Sequence, residues 1–182
     1  MSGQMTEGRA SARPILGRED MRKHVPPHDP DAERKHPIHL PPGEGHNRAI
    51  IIYVTTCTAK RRSILASRRM HDVILAAWRA ASTWLVGRYV VMPDHIHFFC
   101  APNGTDVPSL ERWMRYWKSN VTKRIDAASG EVWQRHHWDR QLRSCESYEE
   151  KWEYVRRNPV RHGLCEDPDE WSYQGELNPL QW

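Results

Sequence analysis

Long apolar runs are missing from this chain. No stretch approaches the roughly 18 uncharged apolar residues that cross a bilayer as a helix, which excludes a helical membrane protein. Cysteine is sparse: four residues, at 57, 100, 145 and 165, with no C-x-x-C. That leaves neither the spacing of a zinc ribbon nor a disulfide framework. The opening MSGQMTEGRASARP has no apolar core of signal-peptide type. A large charge imbalance is also lacking. The net charge is +4 with histidines neutral and the pI is near 9.0, which permits a nucleic-acid partner without demanding one. The expectation is a cytoplasmic protein of a reducing compartment, with 182 residues that suit one domain of ordinary size.

What is present is unevenly spread. Residues 1–48 hold seven of the thirteen prolines and none of the nine tryptophans, and their eight basic and seven acidic residues nearly cancel. Such a segment buries too little apolar surface to offset its ordering entropy. It is expected to be a disordered or extended arm. Its five histidines, at 24, 28, 36, 39 and 46, are irregularly spaced among prolines and read as solvated filler rather than a metal tract. The folded domain is then 49–182, with a short C-terminal tail and no internal repeat.

Within it, Ala49–Thr56 is β-branched and bounded by polar residues, so it reads as a buried strand. Met70, Val73, Ile74, Ala77 and Trp78 recur at helical spacing between Ser67 and Ser82. Leu85–Met92 and His95–Ala101 are strand-like and flank Pro93-Asp94, which suggests a hairpin. Leu110, Trp113, Met114, Trp117, Val121 and Ile125 fit one face of a helix over Val107–Ala127. Glu131–Trp133 and Arg140–Leu142 are weaker candidates for a last strand. Ser147–Asn158 is a helix with a Ser-x-x-Glu capping box at Ser147/Glu150, and it stops before Pro159. The order β-α-β-β-α-β-α predicts an α+β, ferredoxin-like split βαβ sandwich. A four-stranded antiparallel sheet would carry two helices on one face. A C-terminal helix would cover part of the other.

Two segments could carry chemistry. In Pro93-Asp94-His95-Ile96-His97-Phe98-Phe99, alternation along a strand points His95 and His97 to one face and Ile96 and Phe98 to the other. Two imidazoles at i and i+2 make a platform for a divalent ion. Two plain surface histidines on a half-buried strand are the bland alternative. In the last helix, Tyr148, Trp152 and Val155 form a core stripe, and the helical period turns Tyr154 away from it. Glu150, Tyr154 and Asn158, at i, i+4 and i+8, are expected to share a face. A tyrosine off the core beside an amide oxygen suits a metal-assisted nucleophile. It equally suits an exposed tyrosine near an Asn C-cap.

Together the segments are more specific. YVVMPDHIHFF, followed by YVRRNPVRHGL and then EWSY, resembles the REP-associated tyrosine transposases of the HUH single-strand DNA endonuclease superfamily. The resemblance spans about 49–173. His95-Ile96-His97 matches the HUH element, Tyr154 the catalytic tyrosine and Asn158 a third, amide metal ligand. Trp133-Gln134 and Trp138-Asp139-Arg140 resemble the Trp-rich segment before the tyrosine helix. The likeness implies cleavage of single-stranded DNA near an imperfect palindromic hairpin through a covalent 5′-phosphotyrosine, with Mg²⁺ or Mn²⁺ as the ion. It implies a nucleoid-associated, bacterial-type protein, monomer or homodimer. Candidate phosphate contacts are Lys60, Arg61 and Arg62, Lys118, and Arg156, Arg157 and Arg161 beside Tyr154. Trp117, Trp133 and Trp138 are candidates to stack on bases, although Trp113 and Trp117 lie on an apolar helix face and read as core. Two rival readings stay open: a non-catalytic hairpin binder on the same fold, and a phosphodiesterase that uses water.

Overall fold

The computed structural model describes residues 50–125, 131–142 and 148–180. The expected arm over 1–48 and Ser147 of the capping box lie outside the described residues. Strand β1 (Ile52–Cys57) leads through a tight turn to helix α1 (Arg68–Ala80). Strands β2 (Trp84–Val91) and β3 (His95–Pro102) form the hairpin across Pro93-Asp94. Helix α2 (Leu110–Arg124), strand β4 (Trp138–Gln141) and helix α3 (Tyr148–Arg156) follow. A short helix α4 (Asn158–Arg161) and strand β5 (Gln174–Glu176) complete the order.

The sheet runs β4-β1-β3-β2-β5 and is antiparallel throughout. It therefore has five strands where four were expected. The extra strand, Gln-Gly-Glu, has no β-branched or aromatic residue to announce it. Backbone bonds recruit it instead. Val91 N donates to Tyr173 O at 2.8 Å, and Leu177 N donates to Gly87 O at 3.1 Å. Glu131–Trp133 contributes no strand, only a bridge from Trp133 to Thr58.

Local chemistry sets the helix ends. Ser67 Oγ accepts from Met70 N, and Ser109 Oγ from Arg112 N, each at 3.3 Å. Both hydroxyls cap donors that the first helical turn leaves unpaired. Helix α2 starts at Leu110 rather than Val107, because Ser109 follows Pro108 and takes the cap.

Alternation then divides the sheet's side chains between two cores. Ile52, Val54, Val86, Tyr89, Val91, Ile96, Phe98 and Cys100 face α1 and α2, where they meet Met70, Ile74, Trp78, Trp113 and Trp117. Trp78 and Trp117 stack at 5.6 Å with their planes 15° apart. Ile51, Tyr53, Val90, Met92 and Phe99 face the other way and pack with Tyr148, Val155 and Trp152 of α3. The C-terminal helix thus covers part of the second face and leaves room for a site beside it. Among the described residues no helix is long and apolar enough to cross a membrane.

Trp117 is fully buried and touches Trp78, Phe98 and Trp133. Trp117→Ala should therefore cost about 3–5 kcal/mol of stability, read as a lowered urea midpoint with an unchanged slope.

Candidate active site

Strand β3 builds the centre of the site. Ile96 and Phe98 are sealed into the helix-covered core, so the pleat must turn His95 and His97 to the opposite face. Their Nε2 atoms converge to 3.1 Å, and the rings stand nearly perpendicular, 4.7 Å between centroids. Two imidazole lone pairs do not face each other unshared at this distance. A proton or a cation belongs between them.

Each ring is held from behind by its other nitrogen. His95 Nδ1 lies 2.6 Å from Asp94 Oδ1, so the ring N–H donates to the carboxylate and Nε2 is the atom presented. Asp94 is in turn gripped by Arg61, whose Nε donates to Oδ2 at 2.9 Å. Burial would push the Asp94 carboxyl up, but the hydrogen bond and charge of His95 and the Arg61 guanidinium hold it below the usual carboxylate range. Arg61 reaches this position through strained backbone. Lys60 and Arg61 are both left-handed, with φ of 53° and 54°, a conformation that costs non-glycine residues energy. The loop is stitched to the Pro93-Asp94 turn: Thr58 N and Oγ1 both donate to Asp94 O, and Leu65 N donates to Pro93 O.

His97 is held by hydroxyls. Tyr53 Oη and Thr55 Oγ1, neighbours on β1, each lie 2.8 Å from His97 Nδ1, and the Tyr53 ring stacks on the imidazole at 5.7 Å. Burial, helped by His95, Arg161, Arg61 and His162, keeps the His97 pKa well below the ordinary histidine value. This favours the neutral ring, which is the form that ligates metals. Burial pushes the Tyr53 phenol up, so it remains a protonated structural partner.

Helix α3 presents Tyr154 to solvent, 43% exposed, while Tyr148 and Val155 are buried, as the helical stripe predicted. Two cations flank the Tyr154 ring. The Arg161 guanidinium lies 4.0 Å from its centroid and Lys151 Nζ 5.4 Å. Lys151 also sits 5.1 Å from the Tyr53 ring, which links the tyrosine helix to the histidine side. Helix α4 adds His162 just past its end, 6.2 Å from His95 between ring centroids. One expectation needs correction. Glu150, Tyr154 and Asn158 do not share a helical face, because Pro159 interrupts the helix and Asn158 begins α4. Asn158 is buried while Tyr154 and Glu150 are exposed. Its Oδ1 accepts from Arg161 Nη2 at 2.6 Å, and the same nitrogen donates to Tyr154 O. Arg161 therefore ties nucleophile candidate and amide candidate together.

The other predicted cations divide by environment. Lys60, Arg62 and Arg157 are exposed. Arg61 is committed to Asp94, and Arg156 is paired with Glu153 and Asp169 at 3.2 and 2.6 Å. Lys118 is not a surface cation. It is 8% exposed, and its Nζ donates to the carbonyls of Gln134, Arg135 and His136 at 2.8, 3.4 and 3.3 Å. Burial pushes its pKa down to about 8. Trp117 and Trp133 are likewise core residues, whereas Trp138 is exposed. Sequence reasoning missed Tyr53, Thr55, Lys151 and His162. Asp94, adjacent to His95, was the one partner with a local signal.

No family profile matches the chain. Two curated proteins do. A REP-associated tyrosine transposase of Escherichia coli is 26% identical over 146 residues, covering 75% of this chain and 78% of that protein. A Haemophilus influenzae protein of the same family name is 24% identical over 112 residues, 50% of this chain and 62% of its own. The chain is thus similar in sequence to proteins named as REP-associated tyrosine transposases. A solved REP-associated tyrosine transposase, bound to a REP hairpin, superposes with a TM-score of 0.58 at 23% identity, covering 72% of this chain and 81% of that one. At that identity the likeness shows the fold.

A divalent ion, expected from the resemblance to REP-associated tyrosine transposases, would meet a fitting pair of donors. The 3.1 Å between the two Nε2 atoms suits one ion bound about 2.0–2.2 Å from each. The opposite nitrogens are already anchored, as metal-ligating imidazoles require. Asn158 Oδ1 would have to share or release Arg161 to join them. Among the described residues no group of three or more His, Cys, Asp or Glu side chains is placed to hold a metal ion, so the two imidazoles would need the Asn158 amide or outside ligands to complete a site.

Asp94→Asn should weaken Mn²⁺ binding about 10–100-fold by titration calorimetry, with the fold retained by circular dichroism. Lys118→Met leaves three carbonyls without their donor, so it should cost about 1–3 kcal/mol of stability, measured in urea.

Proposed function

We propose that this protein is a metal-dependent single-stranded DNA endonuclease and strand transferase that acts near repeat hairpins, with Tyr154 as nucleophile. One observation carries the reading. Two imidazoles aim Nε2 atoms at a common point on the open sheet face, and the helix across that face exposes a tyrosine between two cations. Kinship with REP-associated tyrosine transposases supports the DNA substrate, and the hairpin-bound relative supports a folded palindrome beside the cut.

The chemistry divides among the residues as follows. Tyr154 Oη attacks the scissile phosphorus, so the Oη–H bond breaks, an Oη–P bond forms and the phenolic proton passes to solvent. The P–O3′ bond breaks, and the leaving oxygen takes up a proton to become a free 3′-hydroxyl. The 5′-phosphate stays on the tyrosine, which conserves the ester for rejoining to a new 3′ end. Arg161, against the Tyr154 ring, is positioned to balance the negative charge that gathers on phosphate oxygens. Lys151 lies on the other approach. His95, His97 and Asn158 would hold Mg²⁺ or Mn²⁺, which as a Lewis acid polarises the scissile phosphate. The fixed outer partners keep both imidazoles aimed, so no rearrangement of β3 is needed before reaction.

The test is to incubate the full chain with a hairpin carrying single-stranded flanks and Mn²⁺, then resolve protein from protein–DNA adduct under denaturing conditions. Wild type should yield an adduct, and Tyr154→Phe none, while hairpin affinity stays within about twofold because phosphate contacts dominate it. An adduct that survives Tyr154→Phe would mean another nucleophile. Cleavage by wild type with no adduct at any time would identify water as the nucleophile.

A further inference from the structure

We propose that Trp138, on the outermost strand, is a stacking platform for an unstacked nucleobase of the single strand that runs through the site. The proposal rests on the single-stranded DNA reading above and adds where a base is held. Trp78, Trp84, Trp113, Trp117 and Trp133 are all buried. Trp138 is 37% exposed, and indole is among the costliest side chains to leave in water.

Its placement follows from register. Thr55 pairs with His97 on one side and with Trp138 on the other, and laterally paired residues of a sheet share a face. Trp138 therefore stands on the histidine face, two strands from His97. A relay of rings joins them. The Trp138 ring meets Tyr53 edge-on at 5.5 Å, with planes 72° apart, and Tyr53 stacks on His97 at 5.7 Å. The edge contact fixes the indole's tilt and leaves the ring accessible.

Cations accompany it. Arg140, two residues on and so on the same face, pairs with Tyr53, and Lys151 reaches over both Tyr53 and Tyr154. Aromatic rings interleaved with positive charge are what a single strand requires: faces for its bases and charge for its backbone. A duplex offers no free base face, so the ligand is a strand with splayed bases. β4 is the sheet edge, and a strand leaving the histidines in that direction passes over Trp138.

Binding of an unstructured eight-nucleotide single strand to the full chain in EDTA, followed by fluorescence anisotropy, isolates this contact from cleavage. Trp138→Ala should weaken affinity about tenfold, and Trp138→Phe no more than about threefold. The slope of log K against log salt should not change, because no phosphate contact is removed. An abasic site at one position should reproduce the alanine loss in wild type and add nothing in Trp138→Ala. Wild-type affinity in Trp138→Ala, a reduced salt slope, or additive losses at every abasic position would each overturn the platform. Failure of the transesterase reading would look different: no adduct from wild type, with the Trp138 effects on binding intact.

Discussion

The register in which β1 lies against β3 governs everything else in this molecule. It sets Val54 opposite Phe98 and Thr55 opposite His97, so a single pairing builds the main core below the sheet and the histidine site above it. Register is a binary choice. A slip of one residue would place every side chain of β1 on the wrong face, exposing Ile52 and Val54 and taking Tyr53 and Thr55 away from His97. Because the helix-covered core depends on this pairing, the alignment of the site inherits the stability of the fold. The two hydroxyls behind His97 need no support of their own.

The second constraint is electrostatic. Asp94 places a carboxylate in direct contact with His95, while Arg61, Arg161 and His162 all act on His97 as neighbouring positive or ionisable groups. Burial and these positive neighbours together favour the neutral form of the His97 ring. The left-handed turn at Lys60 and Arg61 serves this balance. It brings one guanidinium onto Asp94, so the carboxylate orients His95 without standing as a bare negative charge. The stitching of Thr58 and Leu65 to the hairpin turn is what sustains that backbone.

Long periodic segments were legible in the sequence. The apolar stripes of α1 and α2 and the alternation of Ile96 and Phe98 against His95 and His97 left little freedom, because burying one face decides the other. β5 was not legible. Three residues without strand propensity pair through bonds that their neighbours organise, and no local pattern encodes that. Asp94 carried a signal in its adjacency to His95, but Arg61 and Tyr53 reach the histidines only across the sheet or loop. Lys118 is more instructive. It falls four residues after Met114 and three before Val121, inside the apolar stripe. Its burial was encoded, and the charge alone suggested a surface role. Asn158 shows the reverse case, since Pro159 displaced it from the helical face that simple periodicity assigned.

The segment after α4 returns to the far side of the sheet and is fastened there. Trp171 Nε1 donates to Val91 O at 3.0 Å, Val91 N to Tyr173 O at 2.8 Å, and Asn178 Nδ2 to Val86 O at 2.8 Å. The helix that carries Tyr154 is thus anchored downstream to β2, the hairpin partner of the strand that carries the histidines. Trading this helix between two copies of the chain would require peeling β5 from the sheet edge and leaving those donors and acceptors to water. Tyr154 and the two histidines are thus tied together through one continuous polypeptide, fastened at both ends of the segment that joins them to the sheet.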